Sequence, residues 1–347
     1  MKRSYLDWNA TAPLRDEARV AMMSAMDVCG NPSSVHSEGR AAKSLIEKAR
    51  SQISAAFGAD GADIVFVSGS TEGAALALSG RNFVGADVEH DAIVAWIDAC
   101  LNVDGNGAVS VETPSETVLQ SANSETGIIQ RLPDGLAVVD ATQSFGKVPF
   151  AFNWCGADMA LISAHKLGGP KGIGALVLRR GLDVAAQIKG GGQEMGRRSG
   201  TENTIGIAGF GGAAAAAERD LADGKWVEVE KLRNILEKAL EESAKDTIFV
   251  GKDAVRLPNT SCFAVPGWKG ETQVMQMDLA GFAVSAGSAC SSGKVKASRV
   301  LKAMGYNDDV ASSAIRVSLG LDTTEDDVLR FAEAWGKQYN KFKARNA

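Results

Sequence analysis

The sequence predicts an α/β fold, with a mostly parallel sheet in a large domain and a smaller α+β domain after it. Short runs rich in Val, Ile and Leu alternate with stretches of helical periodicity through the first two thirds of the chain. The pattern changes near residue 245, beyond which the apolar runs are shorter and helices follow them. The chain of 347 residues is also long for one compact domain.

The apolar runs that we interpret as buried strands are nearly continuous, as expected for a parallel sheet covered on both faces. They are 63–68, 136–141, 159–165 and 174–179. Helical patterns occur among them at 37–56, 72–79 and 203–219. This alternation predicts a mostly parallel sheet that is covered by helices.

A long amphipathic helix is predicted at 226–243, where apolar residues recur at helical spacing. Three shorter strands follow in TIFVG, NTSCFAV and FAVSAG, and helices are predicted at 296–304, 309–314 and 324–343. We therefore expect a large domain over 16–244 and a small domain formed by 1–15 together with 245–347.

One connection within the predicted sheet is unusually short. Ten residues separate Gly127 from Val138, and they include Pro133 and Gly135. A crossover between parallel strands normally needs about a dozen residues or more. No full crossover helix is therefore expected at this point.

Composition excludes several classes of function. The net charge of −5 argues against a protein that binds nucleic acid or an anionic membrane. No apolar run approaches the length of a membrane span, and the start MKRSYLDWNATAP lacks a signal-peptide core, so we expect a cytoplasmic location. The five cysteines form no CxxC pair and the three histidines lack metal-ligand spacing, so neither a disulfide framework nor a metal site is expected.

The most informative lysine is Lys166, in SAHKLGGPKGIGAL at the end of a predicted strand. Open parallel sheets place their ligands at this edge, and glycines allow the backbone to approach a ligand closely. Ser163 and His165 beside it are candidates for binding a phosphate. The functional interpretation is a lysine that binds pyridoxal phosphate covalently, and the alternative is an ordinary lysine of a surface loop.

Two further strand ends carry candidate cofactor ligands. SGSTEGAAL opens a helix with Ser70 and Thr71, whose hydroxyls and N–H groups suit an anion, although such residues also cap ordinary helices. VVDATQS offers Asp140 to a pyridine nitrogen and Gln143 to a ring hydroxyl. The alternative for Asp140 is a turn aspartate.

Three more residues are candidates for chemistry. His90 follows a short strand, where an imidazole can stack on a ring and transfer protons, although a structural role is the alternative. Cys290 lies among serines and glycines in SAGSACSSG, which favours an exposed, reactive thiol. Arg316 stands in an otherwise apolar strand and needs an anionic partner, either a substrate carboxylate or a structural acid.

With these motifs in order, the sequence resembles the class V aminotransferases, and within them the cysteine desulfurases of the NifS/IscS group. The resemblance extends nearly end to end. It is carried by YLDWNATAP, GNPSSVHSEGR, SGSTEG, VDATQSFGK, SAHKLGGPKGIGAL, GGGQEMGRRSGT, SAGSACSSG and SAIRVSLG.

The resemblance implies the type I fold of pyridoxal-phosphate enzymes, with a seven-stranded type of sheet, and a homodimer with each site near the subunit interface. It implies that Lys166 binds the cofactor, that His90 stacks on it and that Cys290 accepts sulfur from L-cysteine as a persulfide. An iron–sulfur scaffold or another sulfur acceptor is the implied partner. The remaining implied contacts are Asp140 with the pyridine nitrogen, Gln143 with the ring hydroxyl, Thr71, Ser163 and His165 with the phosphate, Thr201 with the phosphate of the partner's site, and Arg316 with the substrate carboxylate.

The chain departs from the family pattern at SANSETG, where members usually show two asparagines before the glutamate. Ser124 replaces the second asparagine, which normally reaches the cofactor hydroxyl and the substrate carboxylate. The shorter side chain predicts weaker substrate anchoring, by roughly 1–3 kcal/mol for one lost hydrogen bond. Asn123 is the alternative substrate ligand, if the short segment 128–137 shifts the backbone beside it.

Two other functions fit the same motifs. One is a selenocysteine lyase or another class V enzyme, and the second is a degenerate homologue that serves as a protein-binding partner. Cys290 argues against simple amino transfer, which needs no nucleophile, and the retained Lys166, Cys290 and Arg316 argue against a degenerate homologue.

Overall fold

The computed structural model describes residues 3–287 and 297–346. In chain order, the strands are β1 (Ser4–Tyr5), β2 (Asp63–Val67), β3 (Val84–Gly85), β4 (Asp98–Ala99), β5 (Val118–Gln120), β6 (Val138–Asp140), β7 (Met159–Ser163), β8 (Gly174–Leu178), β9 (Ile248–Phe249), β10 (Thr260–Ala264), β11 (Phe282–Ala283), β12 (Ser285–Ala286) and β13 (Ala314–Ser318).

The α-helices are α1 (Asp16–Met26), α2 (Ser37–Ala56), α3 (Ser70–Leu78), α4 (Asp91–Val94), α5 (Phe152–Cys155), α6 (Thr204–Ala222), α7 (Lys225–Ser243), α8 (Gly270–Leu279), α9 (Arg299–Ala303), α10 (Asp308–Ser313) and α11 (Glu325–Asn346). Among the described residues, no helix combines the length and the apolar character that crossing a membrane requires.

The main sheet has the strand order β2-β8-β7-β6-β5. Strands β5, β6 and β7 pair in parallel, whereas β8 is antiparallel to both β7 and β2. Four of the five strands therefore point the same way, which confirms the predicted mostly parallel sheet. The parallel pair β3–β4 continues this sheet through a bridge between Val84 and Thr117, which gives seven strand positions.

The short connection between β5 and β6 contains no helix, as the spacing predicts. It turns back on itself through an antiparallel bridge between Ala122 and Ile129. A second bridge joins Ile128 to Arg256. The connection is thus held by the C-terminal part of the chain instead of by a helix of its own.

Helices cover both faces of the main sheet. On one face, α6 packs between α1 and α2, and its alanines and glycines let the helices approach closely. A Cβ atom at Gly211 would lie 2.6 Å from Ala49 Cα, so this position admits no larger side chain. Helix α3 packs on β7 and β8, against the second apolar cluster of the sheet.

The C-terminal part has an antiparallel sheet of order β12-β13-β10-β9. Its apolar core is formed with α8 and α11, and includes the stacked rings of Trp335 and Tyr339. Helix α7 contributes Leu236 and Leu240 to this core, although our predicted boundary near 245 assigns that helix to the large domain. The N-terminal strand β1 pairs in parallel with β11, so both chain ends lie in this part. The division into domains stays a prediction.

Most of the predicted elements are present with small shifts of their ends, and helix 37–56 matches α2 at both ends. Helices α1, α4, α5 and α8 were not predicted from the sequence. Only two residues of α1 are buried and its apolar residues do not form one stripe, because Val20, Met23 and Met26 are exposed. Periodicity therefore gave a weak signal there.

Candidate active site

A cavity of about 680 Å³ opens at the edge of the main sheet where β2, β5, β6 and β7 end. Because β8 runs the opposite way, its first residues lie at this same edge. The predicted site residues that line the cavity are Ser70, Thr71, His90, Ser124, Asp140, Gln143, Ser163, His165 and Lys166. The N-terminal segment closes one side with Ala10 and Thr11.

Lys166 ends a short 3₁₀ turn that follows β7 directly. Its Nζ donates hydrogen bonds to the carbonyl oxygens of Asn9 at 2.7 Å and Ala10 at 2.9 Å. The amine therefore lies inside the cavity against the N-terminal segment, and not on a surface loop. Asn9 was not predicted as a site residue.

The end of the cavity near α3 offers donors to an anion. Ser70 and Thr71 are the first residues of α3, where backbone N–H groups have no partner within the helix. Ser70 Oγ lies 2.7 Å from Thr142 Oγ1, and Lys171 adds a positive charge to the cavity lining. This end has the hydroxyls, N–H groups and positive charge that suit a phosphate.

His165 lies between this end and Lys166, with its Nδ1 3.2 Å from Thr11 Oγ1. Burial, reinforced by the positive charges of Lys166 and Lys171, lowers the pKa of His165 to about 4. The imidazole is therefore neutral at physiological pH, and it can contribute one N–H donor without adding charge.

A carboxylate, an amide and a second imidazole also line the cavity. Asp140, at the end of β6, accepts a hydrogen bond from the backbone N–H of Thr142 at 2.9 Å. Gln143 follows one turn later and donates from Nε2 to the carbonyl oxygen of Asn9 at 3.0 Å. His90 caps α4, because its Nδ1 accepts from the backbone N–H of Ala92 at 3.1 Å, which leaves Nε2 to carry the ring proton.

These residues fit pyridoxal phosphate. The cavity volume lies within the roughly 300–1,000 Å³ of small-molecule sites. Its phosphate-binding end and the Asp140 carboxylate belong to different strand ends, with the Lys166 amine in the lining beside them. That separation matches an anionic group, a ring nitrogen and an aldehyde on one small molecule.

Arg316 lies beside the cavity rather than in its lining. The side chain is 3% exposed, its Nη2 forms an ion pair with Asp7 at 2.6 Å, and its Nη1 donates to the carbonyl oxygen of Ser124 at 3.0 Å. Its Nε is buried and has no hydrogen-bond partner among the residues described. Asp7 is thus the anionic partner that the sequence led us to expect for Arg316.

The structure does not bring Asn123 into the cavity. Its Oδ1 accepts from the backbone N–H groups of Glu125 and Thr126 at 2.9 and 2.8 Å, and its Nδ2 donates to the carbonyl oxygen of Val88 at 3.0 Å. Both ends of this amide are therefore hydrogen-bonded to the backbone. Ser124 is the residue of this pair that lines the cavity.

Thr201 and Cys290 are the two remaining predicted residues. Thr201 is exposed, precedes α6 and is not part of the cavity lining. Cys290 lies outside the described residues. The described residues on either side of it are close to Glu125, since Ser298 Oγ donates to Glu125 Oε2 at 2.6 Å and a Cβ atom at Gly287 would lie 3.5 Å from the same oxygen.

Three buried ionisable residues near the site were missed by the sequence analysis. Burial raises the pKa of Glu89 well above the ordinary carboxyl value and raises the pKa of Glu125 to about 7. Burial lowers the pKa of Lys147 well below the ordinary value for lysine. The only sequence signal was proximity to a predicted residue, since Glu89 adjoins His90, Glu125 adjoins Ser124 and Lys147 follows Gln143 by four positions.

Comparison with known proteins agrees with this geometry. The family described as Aminotransferase class-V matches residues 4–331. A cysteine desulfurase IscS of Dictyoglomus turgidum is 36% identical over 94% of this chain and 92% of the relative. The X-ray structure of a NifS-like protein from Rickettsia africae has a TM-score of 0.89 at 32% identity, covering 97% of this chain and 99% of that one. A structure of SspA in complex with cysteine has a TM-score of 0.74 at 26% identity, covering 91% of this chain and 98% of that one.

Proposed function

The chain belongs to the class V aminotransferase family, and we propose that it is a pyridoxal-phosphate-dependent cysteine desulfurase. It removes sulfur from L-cysteine, giving L-alanine and a persulfide on Cys290. The observation that carries the proposal is the amine of Lys166 held inside a cavity with Asp140, His90 and a phosphate-binding end. The relatives named as cysteine desulfurases and the structure of SspA with cysteine support the choice of substrate.

The cavity lining supplies most of the residues that would hold the cofactor. Lys166 would bind its aldehyde carbon, Asp140 would pair with the ring nitrogen, Gln143 with the ring hydroxyl, and His90 would stack on the ring. Ser70, Thr71, Ser163 and His165 would bind the phosphate, and Thr201, outside the lining, would bind the phosphate of the partner's site. When bound, pyridoxal phosphate supplies an electron sink that stabilises negative charge at the α carbon of an amino acid.

Lys166 has a second task once substrate has entered. Its amine takes the proton from the substrate α carbon, and the carbonyl oxygens of Asn9 and Ala10 orient it by accepting its N–H groups. Asp140 would accept a hydrogen bond from the ring nitrogen of the bound cofactor.

The substrate carboxylate is recognised by Arg316. The ion pair with Asp7 and the bond to the Ser124 carbonyl oxygen hold the guanidinium beside the cavity. Ser124 adds a short hydroxyl side chain to this wall of the cavity.

Sulfur transfer uses the thiolate of Cys290, which attacks the sulfur atom of the substrate. A sulfur–sulfur bond forms, the substrate carbon–sulfur bond breaks, and its electron pair stays on the carbon that becomes the methyl group of alanine. That carbon takes up one proton, so cysteine and the enzyme thiol yield alanine and a persulfide without an external oxidant. His90 exchanges protons with the thiols, and Nε2 is its free nitrogen for this purpose.

The assembly around the site is part of the proposal. The exposed position of Thr201 supports a homodimer in which each chain completes the partner's phosphate site. The sulfur acceptor is an iron–sulfur scaffold or another acceptor protein, and the location is the cytoplasm. The net charge of −5 supports a protein that binds neither nucleic acid nor an anionic membrane surface.

A cysteine-to-alanine assay tests the function directly. Purified protein is supplied with pyridoxal phosphate, L-cysteine and a reductant, and both alanine and sulfide are measured. We expect equal amounts of the two, none from Lys166→Ala, and loss of both from Cys290→Ser with cofactor absorbance retained. Sulfide release by Cys290→Ser at the wild-type rate contradicts the nucleophile assignment.

Parallel reactions separate the alternatives. Alanine formed from selenocysteine but not from cysteine identifies a selenocysteine lyase. Protein that stays colourless after addition of the cofactor identifies a degenerate homologue, and in that case the proposed function is wrong.

A further inference from the structure

Lys147 is a fully enclosed lysine beside the candidate active site that the proposed chemistry does not use. It follows β6 in the turn that also carries Gln143, and its side chain is 2% exposed. Burying an amine without function is unfavourable, because the charged form loses its hydration. The position therefore calls for an explanation.

The Lys147 amine has two hydrogen-bond partners, and neither is charged. Its Nζ donates to Gln143 Oε1 at 2.8 Å and to Asn9 Oδ1 at 3.1 Å. No carboxylate forms an ion pair with it among the residues described. Burial, followed by the charges of Lys166 and Arg316, holds the pKa of Lys147 well below its ordinary value. Two uncharged oxygen acceptors thus hold this amine.

These bonds determine which way the Gln143 amide faces. Its Oε1 accepts from Lys147 and its Nε2 donates to the Asn9 carbonyl oxygen at 3.0 Å. If the amide were turned over, its NH₂ would face the N–H of Lys147 and its oxygen would face a carbonyl oxygen. The bond to the Asn9 carbonyl oxygen would be lost and the Lys147 N–H groups would lose the Gln143 acceptor, so a single orientation is selected.

Gln143 lines the cavity, and its Nε2 carries two N–H groups. One of them is used by the Asn9 carbonyl, and that same oxygen also accepts from Lys166 Nζ at 2.7 Å. No hydrogen bond from the second N–H of Gln143 to another described residue is present. Lys147 is thus joined to the cofactor lysine through Asn9 and to a cavity donor through Gln143.

We propose that Lys147 is a positioning residue that fixes the Gln143 amide with its N–H toward the ring oxygen of the cofactor. This inference rests on the proposed function, because it needs pyridoxal phosphate in the cavity. Lys147 does not touch the cofactor; it acts through Gln143. The alternative is that Lys147 only ties the N-terminal segment to the turn after β6.

The test is a double-mutant cycle with Lys147→Met and Gln143→Leu, measured on the full chain. The first readout is the dissociation constant for pyridoxal phosphate. The second is the pH midpoint of the visible absorbance of the loaded protein. Removing an N–H donor from the anionic ring oxygen destabilises the deprotonated form, so the midpoint rises. Met has a side chain of similar length and removes the N–H donor.

We expect Lys147→Met to weaken cofactor binding about tenfold, as the loss of one hydrogen bond predicts, and to raise the midpoint. In the Gln143→Leu background the same change should have no further effect on either readout. Gln273→Leu is the control, because Gln273 is buried and hydrogen-bonded to Trp335 far from the cavity lining. It should lower thermal stability and leave both readouts unchanged.

The proposal is contradicted if Lys147→Met changes the cofactor dissociation constant equally with and without the Gln143 amide. It is also contradicted if Lys147→Met leaves the pH midpoint of the visible absorbance unchanged. If Lys147→Met does not fold, Lys147→Gln replaces it in the cycle, since its shorter amide cannot reach the same acceptor, and the same criteria apply. Wild-type protein that binds no pyridoxal phosphate overturns the proposed function, and the inference with it. If the wild-type protein binds pyridoxal phosphate and the Lys147 variants bind it equally well with the same pH midpoint, the inference is wrong and the proposed function stands.

Discussion

Ser298 Oγ donates a 2.6 Å hydrogen bond to the carboxylate oxygen Oε2 of Glu125. Ser298 also caps α9, accepting from the backbone N–H of Leu301. Glu125 belongs to the turn that places Ser124 in the cavity. The bond therefore joins the chain that follows the Cys290 segment to one wall of the candidate active site.

Glu125 makes stability depend on pH. Burial raises its pKa from 4.5 to about 7, so the folded state binds the proton more tightly than the unfolded state between these values. The contribution of Glu125 to the free energy of unfolding is complete below pH 4.5 and is lost as the pH rises to 7. Its size is on the order of 3 kcal/mol.

We therefore expect Glu125→Gln to gain stability relative to wild type as the pH rises from 4.5 to 8. Denaturant unfolding at several pH values measures the difference. His165 has the opposite slope between pH 6.5 and 4, because its folded pKa is lowered, and it is unchanged in both proteins. Glu271→Gln, at an exposed position, is the matched control and should keep the wild-type profile. A constant difference between Glu125→Gln and wild type contradicts the prediction.

Arg299 is expected to position His90. Its guanidinium donates to the carbonyl oxygens of Asp87 and Glu89 and pairs with Asp91 at 2.7 Å, so it holds the segment on both sides of the imidazole. Arg299→Met should lower kcat about tenfold by loosening this segment, with a stability loss below about 1 kcal/mol because the ion pair is partly exposed.

The control for that change is Lys302→Met. Lys302 lies on the same helix and pairs with the exposed Asp308, away from His90. Steady-state assays of alanine formation should leave its kcat at the wild-type value. If Arg299→Met also retains full kcat, the segment is held well enough by its backbone alone.

Ser124→Asn is expected to strengthen substrate binding. Ser124 lines the cavity where its carbonyl meets Arg316, and family members usually carry an amide at this position. Restoring one hydrogen bond should lower KM for L-cysteine several-fold to about tenfold. Ser124→Ala removes the hydroxyl without adding an amide and should not lower KM. Identical KM values for Ser124→Asn and Ser124→Ala speak against this role.

Gly320→Ala is expected to disrupt the N-terminal segment. A Cβ atom at Gly320 would overlap the indole ring of Trp8, and Asn9 follows that ring directly. Overpacking of this kind typically costs about 1–3 kcal/mol. Thermal unfolding should show the loss, and cofactor affinity should fall with it because Asn9 contacts Lys166.

Gly105→Ala is the matched substitution, since no atom lies within 4 Å of its Cβ position. Its melting temperature and cofactor affinity should stay near those of wild type. A melting temperature for Gly320→Ala equal to that of Gly105→Ala shows that the Trp8 ring moves aside without cost.

The sequence predicted those features that local pattern controls. Continuous apolar runs located β2, β6, β7 and β8, because strands buried on both faces must be apolar throughout. The polar residues that follow these strands were expected at one edge of the sheet, since the carboxyl ends of parallel strands meet at the same edge. Spacing alone also excluded a helix between β5 and β6.

Other features had no local signal. Helix α7 has the same amphipathic pattern whichever core it covers, so only the structure assigned its buried face to the core of α8 and α11. Asn123 and Ser124 were equivalent candidates in the sequence. In the structure, the Asn123 amide stabilises a turn by hydrogen-bonding the backbone, whereas Ser124 lines the cavity.

The sequence by itself determined the fold class, the family and the residue types at the cavity edge, because all three depend on neighbours close in the chain. Only the tertiary structure decided how these residues are held. Asn9 meets Lys147 across 138 positions and Lys166 across 157, and the burial of Glu125 depends on packing by distant segments. Hydrogen-bond partners and pKa values depend on which atoms are buried together away from water. Those contacts form only when the whole chain has packed.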